Sequence, residues 1–428
     1  MFDLPNIRHL RAVALVARYQ SVNGAAQVLR LSQPAVTLAI RQVESRCGSK
    51  LFNRFKTGTY PTAAGEALVL RIERCFAVLE RGMVGEGEPG DEARDLACRV
   101  SSSQITVLAT LFNLLDWQMT SEVLGISVQS VKRTVRSLEL LLQRSFLLQS
   151  PSGVVLTDDG KRLARAAKLA IREIELGTEE LALLRGERSG TLRIGAMPLA
   201  RAQIIPEALS RLINIYPDLR VQVQEGSYEY LLDLLRNGDI DMMVGALRGA
   251  ESVPDVHEEF LLRCPLSVVA RQGHPLQGKA NLSLADAIAY QWIVNAPRAP
   301  SRILFDQAFA ARGLPQPERL LEIGTLGVIR GLLVRGDQLT MLSRHQVLFE
   351  EEAGKLAILD IDLPETERSI GSSSLIGWQP SRPQTDFMRQ LKIVCNLPPD
   401  TAAEPEPATR RLTQDHLQLV HDSRKKTK

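Results

Sequence analysis

Ser32-Gln33-Pro34-Ala35-Val36-Thr37-Leu38-Ala39-Ile40-Arg41-Gln42-Val43-Glu44 is the stretch on which the fold turns. Ser is a preferred N-cap, its hydroxyl accepting an otherwise orphaned amide, and Pro34 falls in a first turn where no N–H is needed. Val36, Ile40 and Val43 recur at helical spacing as a buried stripe, which turns Gln33, Pro34, Thr37, Leu38 and Arg41 outward. Just upstream, Ala25, Ala26, Val28 and Leu29 give residues 23–29 the packing face of a second helix, and Arg30-Leu31 makes the turn. Leu10, Val13, Ala14 and Ala17 line one face of a helix before that. Two short helices at a sharp angle, the second with a polar exposed N-terminal half, make a helix-turn-helix. Such a helix fits a major groove, where side chains near its N-terminus reach base edges. A helical bundle without a ligand is the plainer alternative.

Composition narrows the setting. The chain has 428 residues, 44% hydrophobic and 24% charged, enough for two to four domains of ordinary globular make-up. No run approaches the length of a membrane span, and the apolar stretch 12–17 is too short for a signal peptide. Five scattered cysteines with no C-x-x-C pair exclude a disulfide scaffold and a Cys-based zinc site, and fit a reducing cytoplasm, the expected location. Charge is uneven. Residues 1–85 carry 12 Lys and Arg against 5 Asp and Glu, a net +7, whereas residues 191–395 carry 21 against 24, a net −3. A basic end on an acidic body points to an anionic polymer at that end.

An internal repeat is visible at an offset of 95 residues. Ala14 falls on Ala109, Val28-Leu29 on Val123-Leu124, Ser32 on Ser127, Val36 on Val131, Arg41 on Arg136 and Glu44 on Glu139. Further on, Thr62 meets Thr157, Gly65 meets Gly160 and Leu68 meets Leu163. These matches share one offset and fall on structural positions, as a duplicated module requires. Its second recognition helix, 127–139, buries Val131, Val135 and Leu138 and turns Gln129, Lys132, Arg133 and Arg136 outward.

Ala25-Ala26, Ser32-Gln33-Pro34-Ala35-Val36, Ile40-Arg41-Gln42-Val43-Glu44, Leu51-Phe52-Asn53-Arg54 and Thr62-Ala63-Ala64-Gly65 together resemble the LysR-type transcriptional regulators. The resemblance implies a winged helix-turn-helix with the wing between Phe52 and Thr62. On that wing Arg54 and Lys56 meet the phosphate backbone, while Gln33, Pro34 and Thr37 lie toward the bases within a DNA-binding stretch that runs from Ser32 to Arg41. This chain has Leu38 where the family commonly has Arg, which favours an apolar contact such as a thymine methyl. In the second copy Arg133 occupies that slot. The equivalent wing, Leu147-Leu148-Gln149-Ser150-Pro151-Ser152, has no cation, and Leu140-Leu141-Leu142 replaces the polar Ser45-Arg46-Cys47. Two roles therefore stand open for the second copy: a second groove reader, or a degenerate copy used for packing or self-association.

Residues 161–185 contain no Pro and read as one long helix. Leu163, Ala167, Ala170, Ile174, Gly177, Leu181 and Leu184 alternate in spacings of 4 and 3, a heptad seam. In LysR-type proteins the corresponding linker helix pairs two chains, which implies a homodimer or homotetramer and a roughly two-fold operator. Packing inside its own chain is the alternative.

After Gly190 strand and helix alternate: strands near 191–195, 219–224 and 240–245, helices near 202–216 and 228–237. That is an open α/β sheet, expected to be parallel. A second lobe begins near Pro265, and the chain is expected back in the first sheet at 355–361. Gly190-Thr191-Leu192-Arg193-Ile194-Gly195, Tyr216-Pro217, Glu225-Gly226, Asn237-Gly238-Asp239-Ile240-Asp241, Gly273-His274-Pro275-Leu276 and Gly354-Lys355-Leu356 resemble the LysR effector-binding domain. The resemblance implies two Rossmann-like lobes, related to periplasmic binding proteins, with a small-molecule effector in the cleft. Ligands of such sheets sit beyond the C-terminal strand ends. There lie Met197, Pro198, Leu199, Ser227, Tyr228, Ala246 and Leu247, and across the cleft Asn295, Pro297 and Thr325. Phosphate-loop, zinc-protease and serine-hydrolase motifs are absent, so neither enzyme chemistry nor a cofactor is expected.

The expected fold class is α+β overall, with two tandem winged helix-turn-helix modules, a linker helix and a two-lobed α/β effector domain. The expected boundaries are a DNA-binding module over 1–81, a flexible linker over 82–94, a second module over 95–160 and a linker helix over 161–188. An effector domain follows over 191–395, its first lobe 191–264 with 355–395 and its second 265–354, and then a disordered, proline-rich tail over 396–428. The function expected is transcriptional regulation: double-stranded operator DNA as partner, a small-molecule effector, contact with RNA polymerase and no membrane. The rival is a small-molecule-binding protein whose helical modules serve assembly.

Overall fold

The computed structural model describes residues 3–84, 87–148, 153–249 and 251–397. The basic end folds as α1 (Ile7–Tyr19), α2 (Val22–Leu29) and α3 (Gln33–Cys47), a hairpin of β1 (Phe52–Phe55) and β2 (Gly58–Pro61), and the 21-residue α4 (Ala63–Met83). After α5 (Asp91–Arg99) come α6 (Ser102–Leu114), α7 (Trp117–Leu124), α8 (Val128–Leu142), short strands β3 (Leu147–Leu148) and β4 (Val155–Leu156), and the 27-residue α9 (Asp158–Leu184). The helices α6, α7 and α8 begin and end 95 residues after α1, α2 and α3.

The caps recur with the helices because the residues that make them recur. Ser32 accepts from the Ala35 amide and Ser127 from that of Ser130. The Thr62 hydroxyl accepts from the Gly65 amide and donates to Lys50 O; Thr157 does the same with Gly160 and Ser145. Glu44 and Glu139 each accept the amide seven residues on, at 2.9 and 2.8 Å. Both copies, with α4 and α9, share one hydrophobic core.

Gly65 and Gly160 are required by close backbone approach. A Cβ would lie 2.1 Å from Leu51 O at the first and 2.3 Å from Phe146 O at the second. Gly65→Ala and Gly160→Ala are each expected to destabilise by about 2–3 kcal/mol, read as a lower denaturant midpoint for the helical half.

The expected linker over 82–94 is shorter than its composition suggests. Helix α4 runs to Met83 and α5 starts at Asp91, with residues 85–86 outside those described. Asp91 and Glu92 form the first turn of α5, where carboxylates meet the positive end of the helix dipole, while Ala93 and Ala97 pack inward. The expected tail beyond 397 lies outside the described residues.

Within this chain the seam of α9 is covered by its own helical half, the alternative that the sequence left beside interchain pairing. Leu163, Ala167, Ala170, Ile174, Gly177 and Leu181 are buried, and only Leu184 at the end is exposed. Their partner is α4, whose Leu68, Ile72, Cys75, Leu79 and Gly82 form a matching buried stripe. The pair is antiparallel: Gly82 meets Leu163 and Ala166, and Gly177 meets Leu68 and Arg71. A helix tethered nearby competes at high effective concentration against one on another chain.

The remaining chain forms β5 (Ser189–Ala196), α10 (Ile204–Ile215), β6 (Asp218–Glu225), α11 (Tyr228–Arg236), β7 (Met242–Ala246), β8 (Val256–Cys264) and β9 (Ser267–Arg271). It continues as β10 (Trp292–Val294), α12 (Pro300–Ala310), β11 (Leu320–Glu322), α13 (Leu326–Leu333), β12 (Leu339–Leu342), α14 (Leu348–Glu352), β13 (Leu356–Ile358), β14 (Arg368–Leu375) and α15 (Arg382–Val394). One sheet runs β6-β5-β7-β14-β8 and the other β11-β10-β12-β9-β13. Strand β5 is parallel to β6 and β7, but β14 is antiparallel to β7 and β8, so the first sheet is mixed rather than parallel. The return crossing also comes later than expected. Leu356, Ala357 and Ile358 pair with Arg271, Ala270 and Val269 of β9 in the second lobe, and β14 re-enters the first.

Candidate nucleic-acid interface and effector cleft

Helix α3 buries Val36, Ala39, Ile40, Val43 and Cys47 and leaves the opposite face open. Ser32, Gln33, Pro34, Leu38 and Arg41 are exposed and Thr37 is half-buried, so these residues share one solvent-facing strip. The hairpin beside it pairs Arg54 with Thr59, and Arg54, Phe55 and Lys56 are exposed toward its tip. The chain thus presents a polar, exposed helix start and a hairpin with exposed cations, a combination suited to bases and phosphates respectively.

On α8 the same register exposes Gln129, Lys132, Arg133 and Arg136 while Val131, Val135, Leu138 and Leu142 are buried. The Lys132 ammonium lies 5.5 Å from the centre of the Trp117 ring on α7, which steadies the side chain against the helix surface. Within the leucine triplet, Leu142 is buried, Leu141 packs on the core and Leu140 is exposed. Residues 149–152, between β3 and β4 in sequence, lie outside the described residues.

The residues expected to line the effector cleft are only partly brought together. Met197 and Leu199 are buried in lobe packing, a correction to their expected place: Met197 folds over Gly245, and Leu199 joins the core behind β5. Strand-end position fixes where the chain is, not where a side chain points. Tyr228 is also buried, with the Arg248 guanidinium 4.7 Å over its ring. Pro198 and Ser227 are exposed, the latter capping α11, and Ala246 and Leu247 are half-buried. In the second lobe Asn295 donates to Ser301 at 2.7 Å, and Pro297 and Thr325 are exposed, Thr325 at the start of α13.

Two contacts across the lobes were not visible in the sequence, their partners being far apart in the chain. His345 Nδ1 lies 2.7 Å from Gln203 Oε1, and the Arg368 guanidinium donates to Ser343 Oγ at 2.5 Å. Burial, then the Arg344 charge, holds the His345 pKa below the ordinary 6.5, so the folded state favours the neutral ring at this position. Its contribution is therefore present above 6.5 and lost as pH falls below it. Between pH 7.5 and 5.5 the thermal midpoint is expected to fall further in the native chain than in His345→Gln; equal falls would deny the contact its role.

The linker helix is clasped to the effector half by charge. Arg165 donates to Asn237, Lys168 to Asp239 and Arg172 to Asp241, the last with two bonds of 2.9 Å. Burial opposes the Arg172 charge, but Asp241, Glu179 and Glu175 overcome it and its pKa is raised. The motif residues Asn237, Asp239 and Asp241 thus face α9. Among the described residues no helix is long and apolar enough to cross a membrane, and no His, Cys, Asp and Glu cluster is placed to hold a metal.

Comparison with known proteins agrees with this geometry. The family described as "Bacterial regulatory helix-turn-helix protein, lysR family" matches residues 7–66, and "LysR substrate binding domain" matches 185–395. The HTH-type transcriptional regulator GalR of Pseudomonas putida is 33% identical over 373 residues, 86% of this chain and 92% of that protein. PcaQ of Agrobacterium fabrum is 26% identical over 274 residues, 64% of this chain and 88% of its own length. The GalR match is the longer by roughly the length of one repeat. Among solved structures, a full-length OxyR variant from Pseudomonas aeruginosa has TM-score 0.53 at 18% identity, covering 69% of this chain and 98% of its own. Full-length LysG of Corynebacterium glutamicum, with its effector arginine bound, has TM-score 0.50 at 17% identity, with the same two coverages. At these identities the structures speak for the fold.

Proposed function

We infer, from the premise that this chain belongs to the LysR-type family of DNA-binding, effector-controlled transcriptional regulators, which residues carry that activity here. Helix α3 enters a major groove, with Gln33, Pro34, Thr37, Leu38 and Arg41 toward the bases, Ser32 fixing the helix start and Arg54 and Lys56 on flanking phosphates. The observation that carries this assignment is the exposure of that strip beside a basic hairpin. The family's members are regulators, not enzymes. We assign the same kind of module to residues 95–160, with Gln129, Lys132, Arg133 and Arg136 as its groove face; it is a second reader rather than a packing copy, because that face is cationic and open to solvent.

The effector is a small molecule held between the two lobes. Its lining draws on Pro198, Ser227, Ala246 and Leu247 from one side and on Asn295, Pro297 and Thr325 from the other. Gln203 and His345 bridge the lobes nearby, so a ligand that prefers one lobe spacing shifts the balance of arrangements. The clasp of Arg165, Lys168 and Arg172 on residues 237–241 passes that shift to α9. The protein works in the cytoplasm as a homo-oligomer and meets RNA polymerase at its promoters. Self-association uses a surface other than the α9 seam, which α4 covers.

The rival, in which the modules serve only assembly, leaves the polar face of α3 without a use. Genomic fragments retained by the purified chain test the assignment. One recurring sequence is expected, lost with Thr37→Ala and Arg54→Ala together; retention of arbitrary fragments, unaltered by those changes, would overturn it.

A further inference from the structure

The two helical modules are related by an approximate two-fold axis contained within one chain. Exchanging each residue for its counterpart 95 positions away turns the contact of Gly82 with Leu163 into that of Gly177 with Leu68. The same exchange turns Gly82 against Ala166 into Gly177 against Arg71. The Ile7 amide donates to Ser102 Oγ at 2.8 Å, and Ser102 is the counterpart of Ile7 itself. A residue that meets its own counterpart marks the axis. The antiparallel contacts place about 26 residues of α9, or roughly 39 Å, between its first turn and the point facing the start of α4. The two modules are joined to those two helix starts. One turn of duplex, the spacing of half-sites, is about 34–36 Å.

Charge makes the pairing heterotypic. The Arg71 side chain is 2% exposed and is bound to Glu173 and Glu180 of α9. Its counterpart on α9 is Ala166, and the counterpart of Glu173 on α4 is Val78. Pairing α4 with a second α4 deprives Arg71 of both acids, and pairing α9 with a second α9 deprives both acids of Arg71. Each leaves an uncompensated buried charge, so each helix selects the other rather than a copy of itself.

We propose that a single chain is a complete reader of two unlike half-sites, α3 taking one and α8 the other in successive major grooves on one face of a duplex. The proposal rests on the DNA-reading role assigned above. The half-sites differ because the readers do. Pro34, Thr37 and Leu38 stand where the second copy has Gln129, Lys132 and Arg133, while Arg41 and Arg136 match. Arg133 suits the O6 and N7 acceptors of guanine, whereas Leu38 suits a thymine methyl. The operator is thus an imperfect inverted repeat, with guanine in the α8 half where the α3 half has thymine.

Hydroxyl-radical footprinting of the full chain on its selected operator, with native mass spectrometry of the same complex, tests this. Lys132→Ala with Arg133→Ala is expected to lose protection over one half-site only, and Thr37→Ala with Arg41→Ala over the other. Each pair weakens binding roughly ten- to hundredfold. The complex holds one chain per pair of half-sites; Arg41, Lys132 and Arg133 are exposed and Thr37 is half-buried, so the variants are expected to melt close to the native temperature, which a thermal scan of each checks. An unchanged footprint for the α8 variant, or loss of both halves by the α3 variant with two chains per pair of half-sites, overturns the proposal while leaving the regulatory role intact. A native chain that protects no sequence overturns both.

Discussion

Arg71→Ala is expected to destabilise the helical half by about 3–5 kcal/mol, the cost of leaving buried acids without their cation. In the native chain Arg71 Nη1 donates to Glu173 at 2.9 Å and to Gln379 O at 3.0 Å, and the same guanidinium holds Glu180. Glu173 also takes Arg74, whose other bond goes to Gly377 O. The cluster therefore ties α4, α9 and the segment before α15 into one unit. Burial opposes the Arg71 charge, and Glu180 and Glu173 raise its pKa nonetheless. The fourfold change Arg71→Met, Arg74→Met, Glu173→Leu and Glu180→Leu is expected to recover most of the loss, since apolar side chains of similar volume replace the whole cluster of buried charges at little cost. Differential scanning calorimetry checks both. A drop below about 1 kcal/mol for Arg71→Ala would place this cluster with surface pairs instead.

The second large effect concerns affinity. Removing the two hairpin cations, Arg54→Ala with Lys56→Ala, is expected to weaken operator binding on all sequences alike. It should also lower the slope of log affinity against log salt by about 1.8, at ~0.9 for each phosphate no longer neutralised. Thr37→Ala is expected to act differently, relaxing base preference by roughly tenfold while leaving that slope in place. Anisotropy titrations across salt separate the two. A pair of hairpin variants with the native slope would remove the wing from the phosphate backbone.

Some of this was legible in the chain. Ser32, Pro34 and the spacing of Val36, Ile40 and Val43 are local, so capping and periodicity alone placed α3 and its open face. The seam from Leu163 to Leu181 was equally plain as a stripe, but a stripe does not name the helix it meets. That partner, α4, carries the same 4-and-3 alternation between Leu68 and Gly82, with Arg71 beside it, and a charge inside such a stripe is the visible sign of a partner bearing acids. Asp91 and Glu92 passed as linker because acid and glycine also make up flexible segments. Strand β14 leaves little trace in the sequence because, of its buried residues Ile370 to Ser374, only Ile370 is a large apolar side chain and the rest are glycine and serine, so no apolar alternation shows. Met197, Leu199 and Tyr228 turned inward for a simpler reason: backbone order along a sheet leaves open which face each side chain takes.

A DNA-reading role for this chain requires discrimination between DNA sequences. Binding of the purified full chain to its selected operator should be compared with binding to a shuffled duplex of equal length at physiological salt. A preference of roughly a thousandfold or more is expected. Equal affinity for the two duplexes would contradict it.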